Sequence, residues 1–505
     1  MKFATLALAL GSLSFAVACG RGGMSSGGGT TTPPPPMETV VVSASTTGPF
    51  SVAMSTAFQP AEWDYTFFTT NPTATTTLQT LGPNHIRLQG QSQGVPQGSQ
   101  LTTLTTWDFS VLDAIVQPVL SVGDHSPEFQ IAKAPAFMYV NNDDTNLFLD
   151  TTFTDGQFAT YAQNLVEYYN SGGFPADGTT YVSPSWPGDK ITWWGIYNEP
   201  SINNKLSATE YTAMYNALVP AMRTADSSLK FVGLEMCCSS EDWALTFAQN
   251  VTAHVDAVAS HYYSSCNQKD TDAKLMGTVP GFAASVQTIQ ANLATNPALA
   301  NVPVWVTENN VNADYDKGGG ISACNGTAFV TDLRGSSQFF AAWRPYVFSQ
   351  LGKAGVPLLY HWDFDADQQF GEVLYTNDQI ELSYWVDYWL GQMFPATAGS
   401  QLLSFTSSDS TDLETLPVVN SDGSVVVMVA NHAISDPASD NNGPGSPLSV
   451  TVDVSALGTF SSGSQLIIDK NTNVASGPTP TPVTPAGRMT FTLNGYSVGF
   501  LSLKP

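Results

Sequence analysis

Two glutamates each close a short apolar run. Glu199 ends the stretch TWWGIYNEP that begins at Thr192, and Glu308 ends VPVWVTE, which begins at Val302. Paired carboxyl groups suit cleavage of a glycosidic bond, in which one acid protonates the leaving oxygen while the other carboxylate attacks the anomeric carbon. The two need unequal surroundings: burial or a like charge keeps the proton on the acid, and hydrogen bonds complement charge on the nucleophile. Arg87, in HIRLQG from His85, and Tyr263, in AVASHYY from Ala257, are expected to meet Glu308. An arginine in an otherwise apolar strand demands an acidic partner.

These side chains can meet only if their runs are neighbouring strands. From about Ser51 to Trp389, eight short runs alternate with helical patterns, as a parallel sheet with crossover helices requires. They begin at Ser51, His85, Val116, Thr192, Lys230, Ala257, Val302 and Pro357. Each is β-branched or aromatic, as a strand covered on both faces should be. The pattern predicts a (β/α)8 TIM barrel, whose active site lies at the carboxyl ends of the strands. The distance from residue 199 to 308 matches three βα units, so the glutamates fall on strands four and seven.

The helices between have their own signals. Phe158, Tyr161, Leu165, Val166 and Tyr169 share a face and stop at Gly172-Gly173. Ser207 and Glu210 form a capping box that opens a helix carrying Tyr211, Tyr215 and Leu218 inward. Past about Phe394 the texture turns to Thr, Ser, Val and Gly, with alternating runs at VVVMVANH, LSVTVDVSAL, QLIIDK and RMTFTLNGYSVGFLSL. This predicts a C-terminal antiparallel β-sandwich.

Four segments are expected. Residues 1–18 read as an export signal, with Lys2 before an apolar run too short to span a membrane. Residues 19–38 read as a Gly/Ser/Thr/Pro tether behind a lipidated Cys19, since Ala18-Cys19 resembles a bacterial lipobox. The barrel takes 39–394, with 39–48 lending a strand to the sandwich, and the sandwich takes 395–505. The product would be an exported lipoprotein, periplasmic or on the cell surface, touching the membrane through its anchor alone.

A net charge of −25, with only 17 Lys and Arg among 505 residues, argues against nucleic acid and anionic membranes as partners. A neutral substrate fits better, and the paired glutamates make it a carbohydrate. No cofactor is implied. Six histidines show no zinc-ligand spacing. Asp363, Asp365 and Asp367 mimic a calcium loop, but Gln368 replaces its glycine and Leu374 its bidentate acid, so an EF-hand is rejected. Asn141 to Asp144 read as a solvated loop. Among Cys237, Cys238, Cys266 and Cys324 three disulfide pairings are open.

The same motifs resemble glycoside hydrolase clan A, and within it most closely the family 39 enzymes, which include β-xylosidases and α-iduronidases. HIRLQG, WDFSVLDAIVQPVLSVGDHSPEF, WWGIYNEPSINN, VDAVASHYY, VPVWVTENN and LLYHWDFDADQQF follow the family's order. The resemblance implies Glu199 as acid/base, Asn198 as donor to the sugar 2-hydroxyl, and Glu308 as nucleophile. It sets Arg87, His261 and Tyr263 around that nucleophile and Trp362 as a floor for a sugar ring. Members usually carry His where this chain has Gln89, two residues after Arg87, which alters contacts at the reacting sugar. The expectation is a retaining O-glycosidase, β-xylosidase-like. Two readings compete: a non-catalytic carbohydrate-binding surface lipoprotein, and an endoglucanase-like or glucuronidase-like clan A enzyme.

Overall fold

The computed structural model describes residues 35–58, 66–83, 85–89, 104, 107–122, 127–143, 146–149, 151–237 and 241–505, with no side chains for 151–155. The expected signal, Cys19 and the tether as far as residue 34 lie outside the described residues, as does Cys238. Among the described residues no helix is long and apolar enough to cross a membrane.

In chain order the first strands are β1 (Met37–Pro49), β2 (Ala53–Phe58), β3 (Arg87–Gln89), β4 (Glu128–Ile131), and a hairpin of β5 (Phe174–Ala176) and β6 (Thr179–Tyr181). Then come β7 (Trp193–Ile196), β8 (Lys230–Cys237), β9 (Ala257–Ser265), β10 (Val304–Asn312), β11 (Leu358–His361), β12 (Asp365–Ala366) and β13 (Val373–Leu374). Eight of these, β2, β3, β4, β7, β8, β9, β10 and β11, pair in parallel in that order and close into a barrel. Helices alternate with them, and the TIM barrel read from the runs is the fold observed. The Ser207/Glu210 capping box forms, and Tyr211, Tyr215 and Leu218 are buried.

One run was assigned to the wrong element. Residues 116–123, expected as the third strand, largely continue the helix Ser110–Ser121, whose Leu112, Ile115, Val116, Val119 and Leu120 are buried at helical spacing. The third strand is β4, with sequence EFQI. A short apolar run cannot distinguish a strand from a buried helix. The true strand is masked by Glu128 and Gln130, which alternate with Phe129 and Ile131 and belong to a polar interior.

That interior has two levels. Trp193, Val232, Ala257, Ala259, Trp305, Leu358 and Tyr360 fill one apolar layer. Arg87, Glu128, Gln130, Glu235, His261 and Thr307 are buried in the barrel as well, and their mutual contacts make the polar layer on which the site rests.

The remaining strands are β14 (Gln401–Ser407), β15 (Leu413–Val419), β16 (Val425–Asn431), β17 (Leu448–Asp453), β18 (Ser462–Ile468), β19 (Thr481–Val483), β20 (Arg488–Leu493) and β21 (Ser497–Lys504). With β1 they form one sheet in the order β19-β18-β21-β16-β15-β14-β1-β17-β20. Only β1 and β17 run parallel. The sheet curls into two layers, because β1 is bulged beyond Val42 and Phe491 of β20 reaches Gly499 of β21, where a Cβ would lie 2.8 Å from the ring. Val40, Val42, Val427, Val429, Val450, Val452, Phe491 and Leu501 meet inside. The other face of β16, through Val426, Met428 and Ala430, joins the barrel's core, which explains why VVVMVAN does not alternate in polarity.

Candidate active site

A cavity of about 550 Å³ opens beside the ends of β7, β9 and β10. Gln89, Asn198, Glu199, Tyr263, Glu308 and Trp362 line it. Arg87 and His261, 0% and 1% exposed, lie buried against these residues. All the residues singled out in the barrel sequence are thus brought together.

The backbone is irregular where these groups leave their strands. Tyr197 and Glu199 adopt φ of 70° and 44°, and Leu234 and Glu235 adopt 71° and 43°. The β8–β9 register shifts between Gly233 and Met236, and the β10–β9 register between Val306 and Glu308. Each bulge re-aims the side chains that follow it. Non-glycine residues in the left-handed region carry a conformational cost of about 1–3 kcal/mol each and cluster at functional sites. The Glu199 backbone N–H donates to the Glu235 carbonyl at 2.9 Å, which ties the two irregular strand ends together.

Glu308 accepts from Arg87 Nη1 at 3.0 Å through Oε1 and from the Tyr263 hydroxyl at 2.8 Å through Oε2. Both contacts complement negative charge. Burial, then the charges of Glu308 and Glu199, raise the Tyr263 phenol well above its ordinary range, so it remains a donor. Asn198 Oδ1 accepts from Arg87 Nη2 at 3.3 Å and Gln130 Nε2 at 3.0 Å. That fixes the amide and leaves its nitrogen for the cavity. Gln89 Oε1 accepts weakly from Arg87 Nη1 at 3.4 Å. Trp362 meets Tyr263 and Phe370 edge to face.

His261 stands among three carboxyl groups. Nδ1 lies 2.8 Å from Glu199 Oε1 and 3.4 Å from Glu308 Oε2, and Nε2 lies 3.3 Å from Glu235 Oε2. Burial disfavours its charge, but Glu308, Glu199 and Glu235 outweigh burial and raise the imidazole to about 10. At neutral pH both nitrogens are donors. One contacting oxygen of Glu199, one of Glu308 and a His261 nitrogen all lie within 4.8 Å of one another, a spacing that could hold a cation. The same spacing lets the His261 ring face both carboxyl groups at once. Two carboxyl groups this close can serve a single scissile bond as proton donor and nucleophile.

Sequence reasoning missed the level beneath. Glu128, Gln130, Glu235 and Thr307 hold the visible residues in place. Arg87 Nη2 and Thr307 Oγ1 donate to Glu235 Oε2 at 3.3 and 2.8 Å. Glu128 and Gln130 were hidden by the misplaced third strand; Glu235 stood inside the correctly read run KFVGLEM, and a lone acid in an apolar strand was the available signal. Cys266, after β9, and Cys324, after β10, form a disulfide, and both residues line the cavity. Trp193, Trp194 and Trp305 are buried in cores.

Residues 187–333 match the model of the glycosyl hydrolase catalytic core. That segment contains Asn198, Glu199, Glu235, His261, Tyr263 and Glu308. Solved structures of similar fold include the glycoside hydrolase family 30 subfamily 8 xylanase of Clostridium acetobutylicum, with a TM-score of 0.58 at 14% identity over 92% of this chain and 99% of that one. The α-L-arabinofuranosidase of Thermotoga maritima gives 0.61 at 13% identity over 93% and 100%. The monomeric β-xylosidase of Caulobacter crescentus gives 0.58 at 13% identity over 92% and 99%. No curated protein matches the chain in sequence. The protein is a glycoside hydrolase whose fold is shared with these solved glycosidases.

Proposed function

We propose that the protein is a retaining O-glycosidase, with Glu308 as nucleophile and Glu199 as acid/base. The observation that carries this reading is the approach of the Glu199 and Glu308 carboxyl oxygens to within 4.8 Å at the ends of β7 and β10. Retaining enzymes hold the two groups about 5–5.5 Å apart, whereas inverting enzymes leave about 6.5–9.5 Å for a water. In the first step a Glu308 oxygen bonds to the anomeric carbon, the glycosidic bond breaks, and Glu199 gives its proton to the departing oxygen. In the second, Glu199 takes a proton from water, the water oxygen bonds to the anomeric carbon, and the ester to Glu308 breaks. Asn198 would donate to the 2-hydroxyl, Arg87 and Tyr263 would orient Glu308, Trp362 would floor the reacting sugar, and Gln89 would contact it.

Pentosides are the first substrates to try, since the neighbours include enzymes named xylanase, β-xylosidase and arabinofuranosidase. An exo-acting β-xylosidase of the family 39 kind remains our specific reading. The test is hydrolysis of aryl xylosides, arabinosides, galactosides, glucosides and uronides by protein beginning after Cys19, beside Glu308→Ala. The wild type should turn over one sugar, and the variant should lose about a thousandfold or more. A 2-fluoroglycoside of that sugar should add its glycosyl mass to the peptide bearing Glu308. Equal activity in the variant, or a label on another residue, would remove Glu308 from this role.

Export and acylation at Cys19 belong to the same proposal, resting on the apolar run before Ala18-Cys19. Cys19→Ser should release the protein from the membrane fraction of an expressing bacterium, and an unchanged distribution would refute the anchor.

A further inference from the structure

Beneath the two glutamates lies a carboxyl pair that the double displacement does not use. Glu128 on β4 and Glu235 on β8 are both 0% exposed. The Oε1 atom of each is buried with no nitrogen or hydroxyl donor. Both oxygens converge over Gly195, where a Cβ would lie 2.8 Å from Glu235 Oε1 and 2.9 Å from Glu128 Oε1. Two facing carboxylates are not tolerated in a dry interior. One shared proton accounts for both orphaned oxygens at once.

The surroundings decide which residue carries that proton. Glu235 Oε2 meets Arg87 Nη2 at 3.3 Å, Thr307 Oγ1 at 2.8 Å and His261 Nε2 at 3.3 Å. Glu128 Oε2 has one neutral donor, the Tyr360 hydroxyl at 2.9 Å. The charge therefore sits on Glu235 and the proton on Glu128. Burial first, and then the charge of Glu235, push the Glu128 carboxyl well above its ordinary value; Arg87 and His261 overcome burial and hold Glu235 below its own.

Resting on the reading of Glu199 and Glu308 as the catalytic pair, we propose that Glu235, partnered by a protonated Glu128, is a positioning residue that fixes the His261 imidazolium between them. The charged groups facing His261 are Glu199 from β7, Glu235 from β8 and Glu308 from β10. Arg87 on β3 bridges Glu235 and Glu308 behind it, and Tyr263 shares Glu308. When Glu308 becomes an ester and Glu199 gives up its proton, the negative charge moves from one to the other. His261 Nδ1–H faces both, so the imidazolium meets that charge in either state. Glu235 holds the opposite edge of the ring, and the bulge at Leu234-Glu235 aims it there.

The experiment follows the six histidines by 15N-imidazole NMR against pH in wild type, Glu235→Gln, Glu128→Gln and Glu235→Asp, beside kinetics on the best aryl glycoside. In wild type His261 should keep both ring protons past neutrality. In E235Q its midpoint should fall by about one unit or more, whereas E128Q, which still offers a donor to Glu235, should move it far less. The kcat of E235Q should fall about tenfold further than that of E128Q, with KM little changed. E235D, which keeps the charge but withdraws it, should fall between, and it carries the test if E235Q does not fold. A wild-type His261 midpoint in E235Q or E235D, or equal kcat losses at 128 and 235, would overturn the proposal. If the wild type hydrolyses nothing, the catalytic reading falls, while the NMR titration still decides the His261–Glu235 assignment.

Discussion

The barrel and the sheet domain each bury a histidine, and they drive its charge in opposite directions. His261 in the barrel is raised to about 10, because three carboxyl groups outweigh the cost of burial. His432, at the end of β16, stacks on Tyr346 with ring centroids 4.5 Å apart and is lowered to about 4, because burial outweighs Glu414 and Asp409. Both rings are nearly inaccessible, at 1% and 7% exposure. Depth therefore does not set the charge; the arrangement of carboxylates does. The same contrast separates the two interiors. The core of the curled sheet is mainly apolar, with buried polar groups such as Asn431, His432 and Ser497 at strand ends, while the barrel keeps Arg87, Glu128, Glu235, His261 and Glu308 out of water together around the cavity.

The strongest way to break that contrast is Arg87→Met. It would remove one of the two cations that Glu235 and Glu308 share, leaving only His261, so stability should fall by about 3–5 kcal/mol. Activity should also fall about a hundredfold or more if Glu308 is the nucleophile proposed above, because it would lose the Arg87 contact that orients it. A chemical denaturation curve with an aryl-glycoside assay reads both, and full activity at wild-type stability would show that the buried pairs carry neither.

The histidines give the next effect, with opposite signs. The folded-state value of His432 lies below that of the unfolded chain, so its neutral burial contributes stability above pH 6.5 that is lost as pH falls toward 4. At full extent this amounts to roughly 3 kcal/mol. His432→Phe, which keeps a ring against Tyr346, should flatten the slope between pH 6.5 and 4. His261 is raised instead, so its contribution is complete below pH 6.5 and fades as pH climbs toward 10. An unaltered acid slope in H432F would shift the acid sensitivity to other groups.

Val427→Ala, in the core of the sheet, should cost about 2 kcal/mol by leaving a cavity, with kcat/KM untouched. A loss of activity there would show that the sheet shapes the site. The smallest effect should come from Ser207→Ala, which removes a capping box from a barrel helix and should lower stability by about 1 kcal/mol with no change in turnover.

The two glutamates were legible because each ends a strand-like run at barrel spacing, and Arg87 because a lone cation in such a run requires an acid. Glu235 met the second criterion as well, but nothing in KFVGLEM says which face it takes. The bulge at Leu234-Glu235 decides that, and a bulge is set by tertiary fit. Strand three was misread since EFQI lacks the apolar pattern of its neighbours. Its alternate residues face a polar layer that exists only once eight strands have closed.

The sequence by itself determined the alternation of strands and helices, the barrel, the sheet domain and the two carboxyl groups, because periodicity and strand-ending position are local properties of the chain. Tertiary structure alone decided that β1 lies between β14 and β17 in the sheet, that Cys266 bonds Cys324, and that the Glu128 and Glu235 carboxyl groups converge over Gly195. Those outcomes depend on which distant groups share one dry space, and electrostatics there follows distance and solvent exclusion rather than order along the chain.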